Sequence, residues 1–77
     1  MKNSSEPTIS IKITTPKGNV IRIRSKKTKR IFHFLKAGNF LKCVFEVRVN
    51  YGDGYQNSGT YFSKSDTTKV LKIFLEK

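Results

Sequence analysis

The first periodic stretch is Thr8–Thr14, TISIKIT, where Ile9, Ile11 and Ile13 alternate with Ser10, Lys12 and Thr14. Alternation of β-branched residues with period two predicts a strand with one buried face. Thr15-Pro16-Lys17-Gly18-Asn19 has turn chemistry, because Pro presets φ while Gly and Asn tolerate the left-handed region. Residues 20–24, VIRIR, resume the alternation and predict the second arm of a hairpin. Residues 25–30, SKKTKR, read as a basic loop or a single helical turn. Residues 31–35, IFHFL, fit two templates. Ile31, Phe34 and Leu35 share one helical face, yet the short aromatic and β-branched run also suits a strand. A strand is expected here and a helix is the alternative, with Gly38-Asn39 as turn or helix end accordingly.

Residues 40–51, FLKCVFEVRVNY, predict the longest strand. Phe45, Val47, Val49 and Tyr51 fall on one face, and Glu46, Arg48 and Asn50 on the other. Gly52-Asp53-Gly54 is a tight-turn signal, and residues 60–63 close that hairpin. Ser63-Lys64-Ser65-Asp66 has the spacing of a capping box. The helix it opens is expected to run to about Glu76. Val70, Leu71, Phe74 and Leu75 form its apolar face, and Lys69, Lys72 and Lys77 its polar side. No internal repeat is visible.

Seventy-seven residues bound this to one small domain, expected over residues 8–77, with residues 1–7 as a flexible polar tail. A chain of this size hides little more than about 60% of its unfolded surface, so its core is thin. Charge then changes the picture. Sixteen Lys and Arg oppose five Asp and Glu, for a net charge of +11. No acid occurs between Pro7 and Phe45, whereas Lys12, Lys17, Arg22, Arg24, Lys26, Lys27, Lys29, Arg30, Lys36 and Lys42 all lie there. Such self-repulsion destabilises a compact state, and a polyanion is its natural counterweight. Nucleic acid is the commonest polyanion, since neutralised phosphates release condensed counterions. A solvated surface that serves only solubility is the blander reading of the same residues.

Other chemistry is sparse. Cys43 is the only cysteine and His33 the only histidine, so neither a disulfide framework nor metal-ligand spacing arises, and no cofactor is expected. His33 reads as a sheet-surface residue. Glu6, Glu46, Asp53, Asp66 and Glu76 are scattered over tail, strand, turn and helix, without an acid–base pair or an activated nucleophile. A non-enzymatic protein is expected. No apolar stretch reaches membrane-spanning length, and MKNSSEPT lacks an apolar signal core.

Several of these features coincide with a known pattern. The interval from Lys17-Gly18 to Ile31-Phe32, the KRIFHF stretch and the terminal segment SKSDTTKVLKIFLEK together resemble the seven-kilodalton basic chromatin proteins of Sulfolobus, over roughly residues 9–77. The resemblance implies a mainly β fold with a C-terminal helix. In that fold, an SH3-like barrel, a two-stranded hairpin packs on a three-stranded sheet. It also implies sequence-independent duplex DNA binding, with the sheet in the minor groove and apolar side chains wedging a base step to bend the duplex. Carried over, Phe32 takes the family's aromatic position and Phe34 the next apolar contact. Lys29 and Arg30 reach phosphates, and the last strand makes contact near Gly59 and Tyr61. The family's last-strand Arg is Gly59 here. Glu46 stands near the binding face, and residues 36–41 exceed the family's tight turn, so either Phe40 or Leu41 supplies the second wedge.

The expected interface therefore comprises Lys12, Arg22, Arg24, Lys29, Arg30, Phe32, Phe34, Phe40, Arg48 and Tyr61. The expected partner is duplex DNA, bound by a monomer, with a dimer as alternative. The expected setting is chromatin or a viral genome, in a nucleoid-containing cytoplasm or an infected host cell. Two other readings stay open. A ββαββα α+β fold with a curved sheet suits a coactivator-like binder of single strands, in which aromatics stack on bases. A small basic viral protein that inhibits a host factor needs an acidic protein partner instead.

Overall fold

The computed structural model describes residues 7–52 and 54–76. Residues 1–6 of the expected tail, Asp53 of the expected turn and Lys77 lie outside the described residues. The chain runs β1 (Thr8–Thr14), β2 (Val20–Ser25), α1 (Thr28–Ala37), β3 (Val44–Asn50), β4 (Gln56–Tyr61) and α2 (Lys64–Leu75). The four strands form one antiparallel sheet in the order β2-β1-β3-β4. The fold is thus a mainly β, α+β arrangement with an open sheet.

Alternation decides which side of the sheet is covered. Ile9, Ile11 and Ile13 of β1 are buried, as are Phe45, Val47 and Val49 of β3, and direct pairing puts all six on one face. Ile31 and Leu35 of α1 and Leu71 of α2 pack into the same core cluster. Both helices therefore lie on one side, α1 toward β2 and α2 toward β3 and β4. Burying one Ile or Leu side chain stabilises by about 1.5–3 kcal/mol, so this single shared layer holds the molecule together.

The expected barrel is not the observed arrangement. β1 pairs along its length with β2 on one side and β3 on the other, from Thr14↔Val20 and Thr14↔Val44 onward. The first hairpin thus extends the β3–β4 sheet edge to edge and does not pack across it. The ββαββα alternative has the observed element order. The reason lies in residues 31–35, which are helix and not the expected strand. Ile31 and Leu35, four apart, stack on one helical face and are fully buried, while His33 and Lys36 face outward. That segment covers the sheet instead of adding to it.

Local signals differ sharply between the two helices. The Ser63 hydroxyl accepts from the Asp66 N–H at 3.0 Å, the expected cap of α2. The buried Thr67 hydroxyl donates to Ser63 O at 2.9 Å, so its polar atom is satisfied. By contrast α1 has no side-chain cap at Lys27 and no acid in its first turn. A short helix without such support depends on tertiary packing. The far end of α2 is tied to the sheet by Tyr51, whose hydroxyl donates to Phe74 O at 2.8 Å and accepts from Asn57 Nδ2 at 3.1 Å.

The strand expected from residue 40 begins at Val44. Residues 40–43 are a connection in which Lys42 takes φ 59°, the left-handed region, and the Cys43 thiol donates to Leu41 O at 3.6 Å. Phe40 folds back over Gly38, where a Cβ would collide with its ring, and meets Phe34 at 5.4 Å and Phe45 at 6.0 Å between ring centroids.

The helical assignment of residues 31–35 separates two side chains that a strand would place on one face. Ile31→Ala is expected to cost about 2–5 kcal/mol by cavity formation. His33→Ala is expected to change stability by no more than about 0.5 kcal/mol. Urea unfolding of both variants checks this; equal losses would contradict the helix.

Candidate nucleic-acid interface

The uncovered face of the sheet carries the even-numbered residues of every strand. Register orders them into rows. One row reads Arg24, Ser10, Arg48, Ser58 and the next reads Arg22, Lys12, Glu46, Thr60. Strands lie about 4.8 Å apart and alternate residues about 6.8 Å along a strand, so the two rows form one compact basic field. Thr14 lies between Val20 and Val44 at one end of the face, and Thr8, Asn50 and Gln56 line up at the other.

Between these side chains the sheet forms a shallow trough of about 560 Å³, open to solvent. The side chains of Arg22, Arg24 and Arg48 stand around it with Lys12, and Ser10, Ser58 and Thr60 add short hydroxyls. The backbone of Ile11, Ile23, Val47 and Gly59 lines the trough as well, since their side chains belong to the other face. Gly59 is required on that other face, where the Tyr61 ring lies back over it and a Cβ would collide with the ring and hydroxyl.

The register leaves the electrostatics unbalanced. Lys12 stands directly opposite Arg22, and like charges in direct cross-strand apposition are destabilising. Glu46, on the other side of Lys12, offsets part of this through a contact of 3.8 Å between Lys12 Nζ and Glu46 Oε2. It is the only ion pair among the described residues. Arg22, Arg24 and Arg48 are exposed and have no carboxylate partner among them. Guanidinium forks and hydroxyls of this kind hydrogen-bond phosphate oxygens.

The ten residues expected at the interface divide three ways. Lys12, Arg22, Arg24 and Arg48 share the open face. Lys29 and Arg30 are exposed at the start of α1, where they gather with Lys26 and Lys27. Phe32, Phe34, Phe40 and Tyr61 lie on the helix side, partly buried and packed against the core. The aromatic positions are thus a correction: a helix through residues 31–35 turns both Phe32 and Phe34 toward the covered layer. His33 is likewise on α1, not on the sheet. Sequence reasoning missed Ser10, Ser58 and Thr60, whose signal was the strict alternation opposite the buried residues. It also missed Lys36, Lys64, Lys69 and Lys72, which line a groove between the helices together with Phe32.

Fold and face together define a class: a two-layer α+β protein with one apolar, helix-covered sheet face and one basic, uncovered face. No family model, curated protein or solved structure matches the chain. Among the described residues no cluster of three or more His, Cys, Asp or Glu forms, and no helix is long and apolar enough to cross a membrane.

The one acid on the face gives a direct electrostatic test. Glu46→Gln leaves Lys12 and Arg22 opposed without relief, and is expected to lower stability by about 0.2–1 kcal/mol at low salt, the range of exposed pairs. The loss should shrink in about 1 M salt, where the screening length is about 3 Å. Thermal melts at the two ionic strengths check it; a salt-independent loss would point to packing instead.

Proposed function

We propose that this protein is a non-enzymatic binder of duplex DNA that recognises the phosphate backbone with little regard to sequence. The observation that carries the reading is the open sheet face, where Lys12, Arg22, Arg24 and Arg48 share two adjacent rows with hydroxyl side chains. Phosphate contacts position a protein on nucleic acid but carry no base information. A face made of such contacts therefore predicts affinity without specificity. Coating of a cellular or viral genome is the role this chemistry suits.

The placement of the aromatics supports duplex over single-strand binding. Single-strand binders combine a basic groove with aromatic platforms on which bases stack. The strands present none on the open face, because Phe32, Phe34, Phe40 and Tyr61 pack on the helix side; Phe62 is exposed just past the end of β4. The same placement bears on the mode of binding. A wedge that kinks the duplex needs an apolar side chain at the contact, and the strands offer only Val20 and Val44, at the end of the face where exposed Phe62 follows Tyr61. Lys12, Arg22, Arg24 and Arg48 lie outside that end row, which favours binding along the backbone without a kink.

If Lys12, Arg22, Arg24 and Arg48 each neutralise one phosphate, log affinity should fall with log salt at a slope of about −3 to −4. Replacing Arg22, Arg24 and Arg48 together with Ala should reduce that slope to about −1 and weaken binding to all duplexes equally. Fluorescence anisotropy with labelled duplexes of different sequence, and with the unpaired strand as competitor, measures this. Energy transfer between the duplex ends should stay unchanged on binding. A flat salt response would sink the reading. Preference for the unpaired strand would favour the coactivator-like alternative, and a shortened duplex would assign a wedge to Val20 and Val44.

A further inference from the structure

The side of the molecule opposite the sheet face carries a second basic surface. Phe32 and Lys36 of α1 face Lys64, Lys69 and Lys72 of α2 across a groove of about 540 Å³. The two acids of α2 and its C-cap, Asp66 and Glu76, do not line it. Lys69 and Lys72 lie three apart on one helix, a like-charge spacing that is destabilising without compensation. None of the groove lysines pairs with a carboxylate among the described residues. Of these lysines, Lys64 alone has a protein partner among the described residues: its ammonium donates to Gly38 O at 2.9 Å and joins the start of α2 to the end of α1. The groove is therefore fixed in shape by one lysine and left positive by the others.

This groove shares no residue with the trough on the open sheet face. The apolar core, built from Ile9, Ile11, Phe45, Val47, Ile31 and Leu71, separates them. A single rigid polyanion cannot lie against both sides of a sheet at once. We infer that the interhelical groove takes the phosphate backbone of a second duplex, so that one molecule bridges two DNA segments. This rests on the duplex-binding reading of the sheet face. Charge complementarity identifies the occupant: a row of lysine point charges around one aromatic side chain suits a phosphate backbone.

The test uses two readouts on the full chain: anisotropy of one labelled duplex, and energy transfer between separate donor-labelled and acceptor-labelled duplexes. The probe variant replaces Lys36, Lys69 and Lys72 with Gln, all exposed, and leaves Lys64 in place. Its melting curve should match wild type; should it fail to fold, Lys69→Gln and Lys72→Gln singly read the same signals. The expected result is single-duplex affinity within about threefold of wild type, since the sheet-face contacts remain, with transfer between duplexes lost. Bridging that persists in the variant would overturn the inference, as it would then arise from dimers or from the sheet face. A wild-type protein that binds one duplex but never joins two would also overturn it, and would leave the duplex-binding reading intact. Unchanged binding by the Arg22, Arg24 and Arg48 variant, with loss in the groove variant, would remove the sheet-face reading and bridging together, leaving one DNA site in the groove. No duplex binding at all would remove both.

Discussion

Everything in this structure depends on burying one face of one sheet. The chain supplies enough apolar side chains for a single layer, in which Ile9, Ile11 and Ile13 with Phe45, Val47 and Val49 meet Ile31, Leu35 and Leu71. A small domain has a high ratio of surface to volume, so no second layer is available for the opposite face. That face must be polar to stay in water, and in a strict alternation its chemistry is independent of the core. The fold thus leaves the whole open face available for a binding surface, at no cost to packing.

What occupies that face is not neutral filler. Serine and threonine alone would keep it wet, yet Lys12, Arg22, Arg24 and Arg48 stand there, with Lys12 opposed to Arg22 and a single carboxylate to relieve them. A net charge of +11 on 77 residues opposes compaction. Against a margin of stability of the order of 5–15 kcal/mol, such repulsion is a substantial term. On the proposed reading a polyanion removes it, at the groove between the helices as on the open face.

Most of the strands are legible in the amino-acid pattern. β1 has its expected bounds, β2 extends its expected range by one residue, and α2 starts at its Ser63 cap. These elements announce themselves through period-two alternation or a local hydrogen bond, both of which depend on neighbours in sequence. α1 has neither a side-chain N-cap nor an acidic first turn, and its five central residues satisfy a strand pattern as well as a helical one. Its identity follows from the sheet below it, which needs a cover with buried side chains four residues apart. The barrel and the aromatic contacts on the binding face were what the resemblance implied, and the helix through residues 31–35 is at odds with both.

Local pattern is therefore enough to specify the charge, the alternation that sends Arg22, Arg24 and Arg48 away from the core, and the terminal helix with its cap. It takes the folded arrangement to make β1 a central strand paired on both sides, to assign Phe32, Phe34, Phe40 and Tyr61 to the covered layer, and to bring Lys36, Lys64, Lys69 and Lys72 together. The physical reason is range. Alternation and capping act within a few residues, whereas strand order and the meeting of two helices are settled by which surfaces remain to be buried once the local elements exist.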